Sequence, residues 1–304
     1  MAIHGSKIGR NKWYCKTFKW IPVLSTATLI VWCYYAYVVQ LCILTVESEV
    51  EKICYLILFH VLFFMFNWSY WKIIFTAAGT VPKTHAIPEQ ILVSYLNDSD
   101  NYEHQNFILE NLARRLSIST RSLMGEVRVC KTCGVLKPDR AHHCSVCGVC
   151  VLKMDHHCPW INNCVCFTNY KYFILFLGYG CLLCIYVCLT LFSYFIAFWK
   201  GSLIYDGNFH ILFLFFVSIM FMISLVLLFC YHCYLIIENK TTLEALRPPN
   251  FRDIGVDKRG FYIGRYKNIQ EVFGEDTIKW FLPIYTSLGN GLEYPLRSHL
   301  QPSI

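Results

Sequence analysis

Charge is scarce in this chain. Of its 304 residues only 15% are Asp, Glu, Lys or Arg, against 56% hydrophobic and 17% aromatic, where a soluble domain is about a quarter charged. The scarcity is uneven. Ile21–Val46 has no charged residue, Ile53–Trp71 has none in nineteen residues, and Tyr172–Trp199 and Phe209–Ile237 are longer uncharged runs still. Such stretches exclude a water-soluble globule and predict four membrane-spanning helices, each long enough to cross about 30 Å of hydrocarbon. The links Glu47–Lys52 and Lys200–Asn208 are then short turns. The first run lacks a small-x-small cleavage site and is too long for a leader, so it is expected to be retained. No retrieval signal is expected from the last residues, Gln301-Pro302-Ser303-Ile304.

The few charges present are sorted. Five Lys or Arg lie in residues 1–20, eleven in 72–171 and nine in 238–304, so 25 of the 27 fall on one side of the proposed spans. The positive-inside rule makes that side cytosolic. The first twenty residues, with Lys7, Arg10, Lys12, Lys16 and Lys19 among Trp13, Tyr14 and Trp20, have the composition of an anchor on an anionic leaflet. Because the basic residues follow topology and not one recognition helix, nucleic-acid binding is disfavoured despite the net charge of +7. Within 72–171, Ala77–Pro88 reads as loop. Glu103–Leu116 reads as a helix whose Phe107, Ile108, Leu112 and Leu116 face the zinc-rich region described next, or a membrane surface. Polar residues inside the spans (Gln40, His60, Asn67, Ser224, His232) are expected to hydrogen-bond between helices.

Cysteine, by contrast, is plentiful: seventeen residues, eight of them between Cys130 and Cys166. Their spacing contains a repeat. Cys130-x2-Cys133-x9-His143-x6-Cys150 returns fourteen residues later as Cys144-x2-Cys147-x9-His157-x6-Cys164. Three cysteines and one histidine at the same spacing, twice, predict two closed tetrahedral zinc sites, which are structural because no coordination position is left open. Reduced, metal-holding cysteines also belong in the cytosol.

One thiol is left over. A third unit starting at Cys158 would need ligands at Ile161 and Lys171, so Cys158 has no metal to bind. It ends the run Asp155-His156-His157-Cys158-Pro159-Trp160. Cys158 as nucleophile, His156 as base and Asp155 as the group that orients it have the parts of an activated thiol. A non-catalytic adapter whose zinc knot binds a partner would need the metal ligands but none of these three.

The segment Cys130–Phe173 resembles the cysteine-rich domain of the DHHC protein S-acyltransferases, or palmitoyltransferases. It carries Lys137-Pro138, Arg140, His142-His143-Cys144, the DHHC run itself, Asn162-Asn163-Cys164 and Asn169 with Phe173. Thr241-Thr242-Leu243-Glu244 matches that family's TTxE motif, and Asn268 before Val272-Phe273-Gly274 resembles its C-terminal PaCCT motif. The resemblance covers roughly residues 15–290. It implies an α-helical integral membrane protein with a cytosolic double-zinc domain between the second and third of four helices. The organisation is then 1–71 (cytosolic tail and two spans), 72–171 (cytosolic, zinc domain at 128–171), 172–237 (two spans) and 238–304 (cytosolic).

The implied reaction is ping-pong: a long-chain acyl-CoA acylates Cys158, and a cysteine of a membrane-associated substrate protein takes the acyl group. Cys130, Cys133, His143, Cys150, Cys144, Cys147, His157 and Cys164 would hold two structural Zn2+. Trp160 and Phe173 would stand near the mouth of an acyl cavity whose far end involves Cys33, Tyr34 and Leu183. Arg128, Lys137, Arg140, Lys153 and Lys171 are candidates for the CoA phosphates. Thr242 would bond near Asp155, and Asn268 would tie the C-terminal segment to the helices. Cys166 stands where relatives often have glycine and would be a second free thiol. No ankyrin-repeat extension or long regulatory tail is expected, and the resemblance favours the Golgi.

Overall fold

The computed structural model describes residues 17–97, 102–201 and 208–299. The proposed anchor residues Lys7, Arg10, Lys12, Trp13, Tyr14 and Lys16, and the last five residues, lie outside it. Among the described residues four helices are long and apolar enough to cross a membrane: Ile21–Ile43, Glu49–Phe75, Tyr170–Trp199 (α5) and Phe209–Ile237 (within α6, Asn208–Ile237). The first begins as α1 (Ile21–Tyr34), with Pro22 in its first turn, and continues as a π-helical stretch over Tyr35–Ile43. The second, α2 (Glu49–Phe75), extends past its uncharged run at both ends. Glu49 and Glu51 sit in its first turn and Lys72 in its last, where the helix dipole favours each sign.

The described residues form two compact units. One gathers the residues up to Ile74 with Cys158–Asn162 and Ile174–Cys230; the other gathers Phe75–His157, Asn163–Phe173 and the residues from Tyr231 onward.

The first unit is the helical one. Its core is a cluster that includes Tyr37, Leu41, Phe59, Leu191, Ile211 and Leu214, with Cys33, Tyr34 and Leu183 packed against it. Large apolar side chains elsewhere point outward, among them Val31, Phe64, Leu189 and Leu227. A helix apolar on every face fits a lipid environment. The polar groups inside are paired: Tyr37 donates to Thr190 Oγ1 at 3.0 Å, and Tyr34 Oη bonds His60 Nε2 at 3.1 Å. Asn67 and Ser224, expected to bond between helices, instead donate to carbonyls one turn back in their own helices, Phe63 and Met220.

The second unit is built on short elements. Helices α3 (Glu89–Asn97) and α4 (Tyr102–Arg115) precede a run of two- and three-residue strands. The buried face of α4 is Gln105, Leu109 and Ala113, packed with Ile118, Val127 and Leu136. Phe107, expected on that face, is 66% exposed. Leu112 and Leu116 of the expected face do pack against the cluster, and Gln105 Nε2 bonds Ser94 O and Oγ. Strand β1 (Thr120–Arg121) pairs with β8 (Asn250–Phe251), which pairs with β9 (Gly255–Val256). The segments either side of the last two spans are thereby stitched into one sheet.

Three hairpins occupy the cysteine-rich stretch: β2 (Val129–Cys130) with β3 (Val135–Leu136), β4 (His142–Cys144) with β5 (Val149–Val151), and β6 (His156–Cys158) with β7 (Asn163–Val165). They recur every fourteen residues. Each turn contains a residue of positive φ at the same place in the repeat: Gly134 at 64°, Gly148 at 73° and Asn162 at 47°. Glycine and asparagine are the residues that tolerate this conformation. The fold therefore repeats three times although the metal spacing repeats only twice.

Candidate active site and zinc clasps

In the first hairpin Gly134 N–H donates to Cys130 O at 2.8 Å, and in the second Gly148 N–H donates to Cys144 O at 2.8 Å. These tight turns bring Cys130 and Cys133, and likewise Cys144 and Cys147, to one side. In the first cluster the sulphurs of Cys130, Cys133 and Cys150 lie 3.5, 3.3 and 3.9 Å from His143 Nδ1. In the second, those of Cys144, Cys147 and Cys164 lie 3.7, 3.4 and 3.5 Å from His157 Nδ1. Ligands around tetrahedral zinc, at about 2.3 Å for sulphur and about 2.1 Å for nitrogen, are about 3.6 Å apart. Both sets fit zinc, each with Nδ1 as the nitrogen ligand.

The third hairpin has Cys158 where the others have Cys130 and Cys144, and Ile161 where they have Cys133 and Cys147. Ile161 is fully buried. Cys158 itself is 9% exposed. Next to it, Tyr70 donates to Trp160 O at 3.0 Å while the Trp160 side chain is 60% exposed.

Asp155 precedes β6, and His156 opens it. The Asp155 carboxylate is 1% exposed and saturated with donors. Thr242 N–H reaches Oδ1 at 2.8 Å, while Thr242 Oγ1 and His156 Nδ1 each reach Oδ2 at 2.7 Å. Burial alone would raise its pKa. The hydrogen bond and positive charge of His156, the field of His232 and the Thr242 hydroxyl outweigh burial and hold it below the ordinary aspartate value. With Nδ1–H donated to Asp155, Nε2 of a neutral His156 is the basic nitrogen.

Around His156 stand Phe173, edge-on at 5.4 Å between ring centres, and His232 at 6.0 Å. His232 is 2% exposed and bonds Tyr170 Oη through Nδ1 at 3.0 Å. The sequence reading missed its place beside the dyad. A lone histidine in an apolar helix carries no spacing signal.

The TTxE segment divides its work. Thr241 caps α7 (Thr242–Leu246): its hydroxyl accepts from Glu244 N, and Glu244 Oε2 accepts from Thr241 N, a capping box. Thr242 holds Asp155. Glu244 takes Arg140, with Nε to Oε1 at 2.9 Å and Nη2 to Oε2 at 2.7 Å.

Most of the cations assigned to CoA phosphates are engaged elsewhere. Arg140, 1% exposed, also donates to Asn239 Oδ1 and O and lies over the rings of Phe261 and Tyr294. It is a buried cation held by Glu244 and Asn239, and it lines the same cavity as Arg128 and Lys137. Lys153 is paired with Glu271 at 2.6 Å, and Lys171 donates to Lys279 O and Thr286 Oγ1. Asn268, also buried, donates to Ile237 O at 2.7 Å and accepts from Ile263 N at 3.1 Å, so it braces the end of the fourth span. Thr242 bonds Asp155 through its backbone N–H and its hydroxyl. Arg128 spends Nη1 on Thr120 Oγ1 and Nη2 on Ala141 O, yet with Lys137 it lines a cavity of ≈ 670 Å³. Cys166, expected as a second free thiol, is fully buried, and burial pushes its pKa up.

A family model, the DHHC palmitoyltransferase, matches residues 124–248. The chain is 48% identical over 290 residues to Palmitoyltransferase ZDHHC15 of Homo sapiens, covering 93% of this chain and 84% of that protein. It is 49% identical over 277 residues to Palmitoyltransferase ZDHHC2 of Danio rerio (91% and 76%), and 47% over 291 residues to Palmitoyltransferase ZDHHC20 of Homo sapiens (94% and 79%). This chain belongs to the DHHC palmitoyltransferase family. A DHHC palmitoyltransferase is a protein S-acyltransferase that draws on acyl-CoA, so the zinc-braced stretch serves an enzyme and not a passive adapter. The four spans and the cysteine-rich domain between the second and third are the architecture expected of it.

Proposed function

We propose that this palmitoyltransferase transfers a long-chain acyl group through Cys158. Asp155 and Thr242 hold His156 with Nδ1–H committed, leaving Nε2 to take the Cys158 proton. His156 and Cys158 are two residues apart on β6, and alternation along a strand puts both on one face. The thiolate attacks the acyl-CoA carbonyl, a new carbon–sulphur bond forms, and the bond to CoA breaks; CoA leaves with the proton held by His156. The thiol of a substrate cysteine, deprotonated in turn by His156, then takes the acyl group and restores Cys158. The zinc ions hold the hairpins in place and take no part in the transfer.

The nucleotide end of CoA is assigned to the ≈ 670 Å³ cavity, where Arg128, Lys137, His142 and Arg247 supply cationic or donor groups and Thr120 and Asn250 polar ones. Trp160 follows Cys158 by two residues and Phe173 stands edge-on to His156; the acyl chain is assigned to the helices, toward Cys33, Tyr34 and Leu183. Sorting of Lys and Arg supports a cytosolic zinc domain and cytosolic termini. Substrates are then membrane-associated proteins with cysteines near the cytosolic surface, and a Golgi site is proposed from the family resemblance alone.

The observation that carries this reading is the Thr242–Asp155–His156 chain of hydrogen bonds two residues from the one cysteine of the repeat without metal partners. Mapping the modified residue after incubating the purified enzyme with palmitoyl-CoA tests it. Hydroxylamine-sensitive acyl on Cys158 is expected; acyl confined to other cysteines would refute the assignment.

A further inference from the structure

Besides the two zinc clasps, a third group of metal-ligating side chains converges. An oxygen of Asp155, a ring nitrogen of His156 and a ring nitrogen of His232 lie within 4.8 Å of one another. All three belong to the second unit, and none is a ligand of either clasp. His156 adjoins His157, but alternation along β6 turns the two imidazoles to opposite faces. Two imidazoles and one carboxylate are a donor set for divalent transition metals, unlike the three thiolates of each clasp.

The donors already have the partners that metal ligands need. A ligating histidine has its second nitrogen hydrogen-bonded elsewhere, which fixes the ring. His232, in the last two turns of α6, is 2% exposed. Its Nδ1 is bonded to Tyr170 Oη at 3.0 Å, and its Nε2 has no hydrogen-bond partner among the described residues. Phe173 stands edge-on to the same ring at 5.0 Å. Thr242 holds the Asp155 carboxylate through two bonds. An ion has a way in, because the His156 side chain is 32% exposed although Asp155 and His232 are buried. His156 Nδ1 and Asp155 Oδ2 are 2.7 Å apart. At a metal about 2.1 Å from each they subtend about 80°, near the right angle between neighbours on an octahedral ion. Such neighbours are about 3 Å apart, so the His232 nitrogen has less than about 2 Å to close.

The geometry points to a third metal site, for a divalent ion of the zinc class, on Asp155, His156 and His232. The ion replaces the proton that His156 Nδ1 donates to Asp155, that proton passes to water, and water fills the remaining coordination positions. A buried carboxylate beside two neutral imidazoles favours a dication. The consequence for activity rests on the reading of His156 as base: a metal-bound imidazole no longer takes the Cys158 proton, so excess zinc inhibits transfer.

The test uses the purified full chain carrying Cys158→Ser, which removes that thiol as a competing ligand. Bound zinc is counted after equilibrium dialysis, first against a chelator-buffered low level of free Zn2+ and then against an excess. The two clasps stay filled in both, because structural zinc is held far more tightly, and their retention reports an intact fold. One further zinc per chain is expected in the excess. Adding His232→Leu or Asp155→Asn is expected to abolish that uptake, and adding Tyr170→Phe to weaken it by about 10- to 100-fold. No further zinc in the parent would overturn the proposal. So would undiminished uptake in either ligand variant, which would put the ion on other side chains. In the wild type the same excess is expected to inhibit acyl transfer. A third zinc lost with His232, yet bound without inhibition, would leave the site standing and count against His156 as the base.

Discussion

Arg140 and Glu244 meet as a two-pronged ion pair, 2.9 and 2.7 Å, across 104 residues of sequence and with almost no solvent at either side chain. The pair fastens the capped turn that carries Thr242 to the cysteine-rich stretch that carries Asp155. Replacing Arg140 by Met strands a buried carboxylate. We expect a loss of about 3–5 kcal/mol in stability, the usual consequence of removing one partner from a buried pair. The double variant Arg140→Met/Glu244→Leu should regain part of it, because the Glu244 carboxylate is then no longer buried without its partner. Thermal unfolding of the purified variants in one detergent measures both.

Thr242 makes two contacts to Asp155, and only one belongs to its side chain. Thr242→Val removes the hydroxyl and keeps the backbone bond. The expected result is a fall in turnover of about tenfold, the worth of one hydrogen bond to a charged group, with zinc content unchanged. Thr242→Ser should restore turnover, which loss of packing alone would not allow. Steady-state acyl transfer compares the three.

Glu271 supplies a pH dependence. Burial opposes its charge, but Lys153 at 2.6 Å, Arg140 at 3.6 Å and the Asn239 amide outweigh burial and hold its pKa below the ordinary glutamate value. A depressed carboxyl stabilises the fold above its unfolded pKa, about 4.3, and loses that contribution as pH falls through the lower folded value. Wild type should therefore lose stability on acidification across that window. Glu271→Gln should be less stable at neutral pH and show a shallower acid limb. Unfolding midpoints between pH 3 and 7 would show this, about four pH units spanning the transition.

Much of this was legible from residue order. Uncharged runs gave the spans to within a few residues, because hydropathy and length decide whether a helix crosses a bilayer. Spacing alone separated eight metal-binding side chains from Cys158. Cation placement was not legible: Arg140, Lys153 and Lys171 read as candidates for the CoA phosphates, and each is buried on partners about 100 residues or more away in sequence. No local pattern reports a partner at that distance. The same limit concealed the division of labour within Thr241-Thr242-Glu244, where adjacent residues serve a cap, Asp155 and Arg140 in turn. The third hairpin was concealed for another reason. Its repeat survives in backbone conformation at Asn162 and not in ligand identity.

The claim on which the account stands is that the metal ligands and the nucleophile are separate sets of residues within one repeat. Cys158→Ser separates them in a single preparation assayed for bound zinc and for palmitoyl transfer to a protein substrate. The account predicts two zinc ions per chain, as in wild type, and no transfer. Undiminished transfer, or the loss of a zinc ion with the thiol, would contradict it.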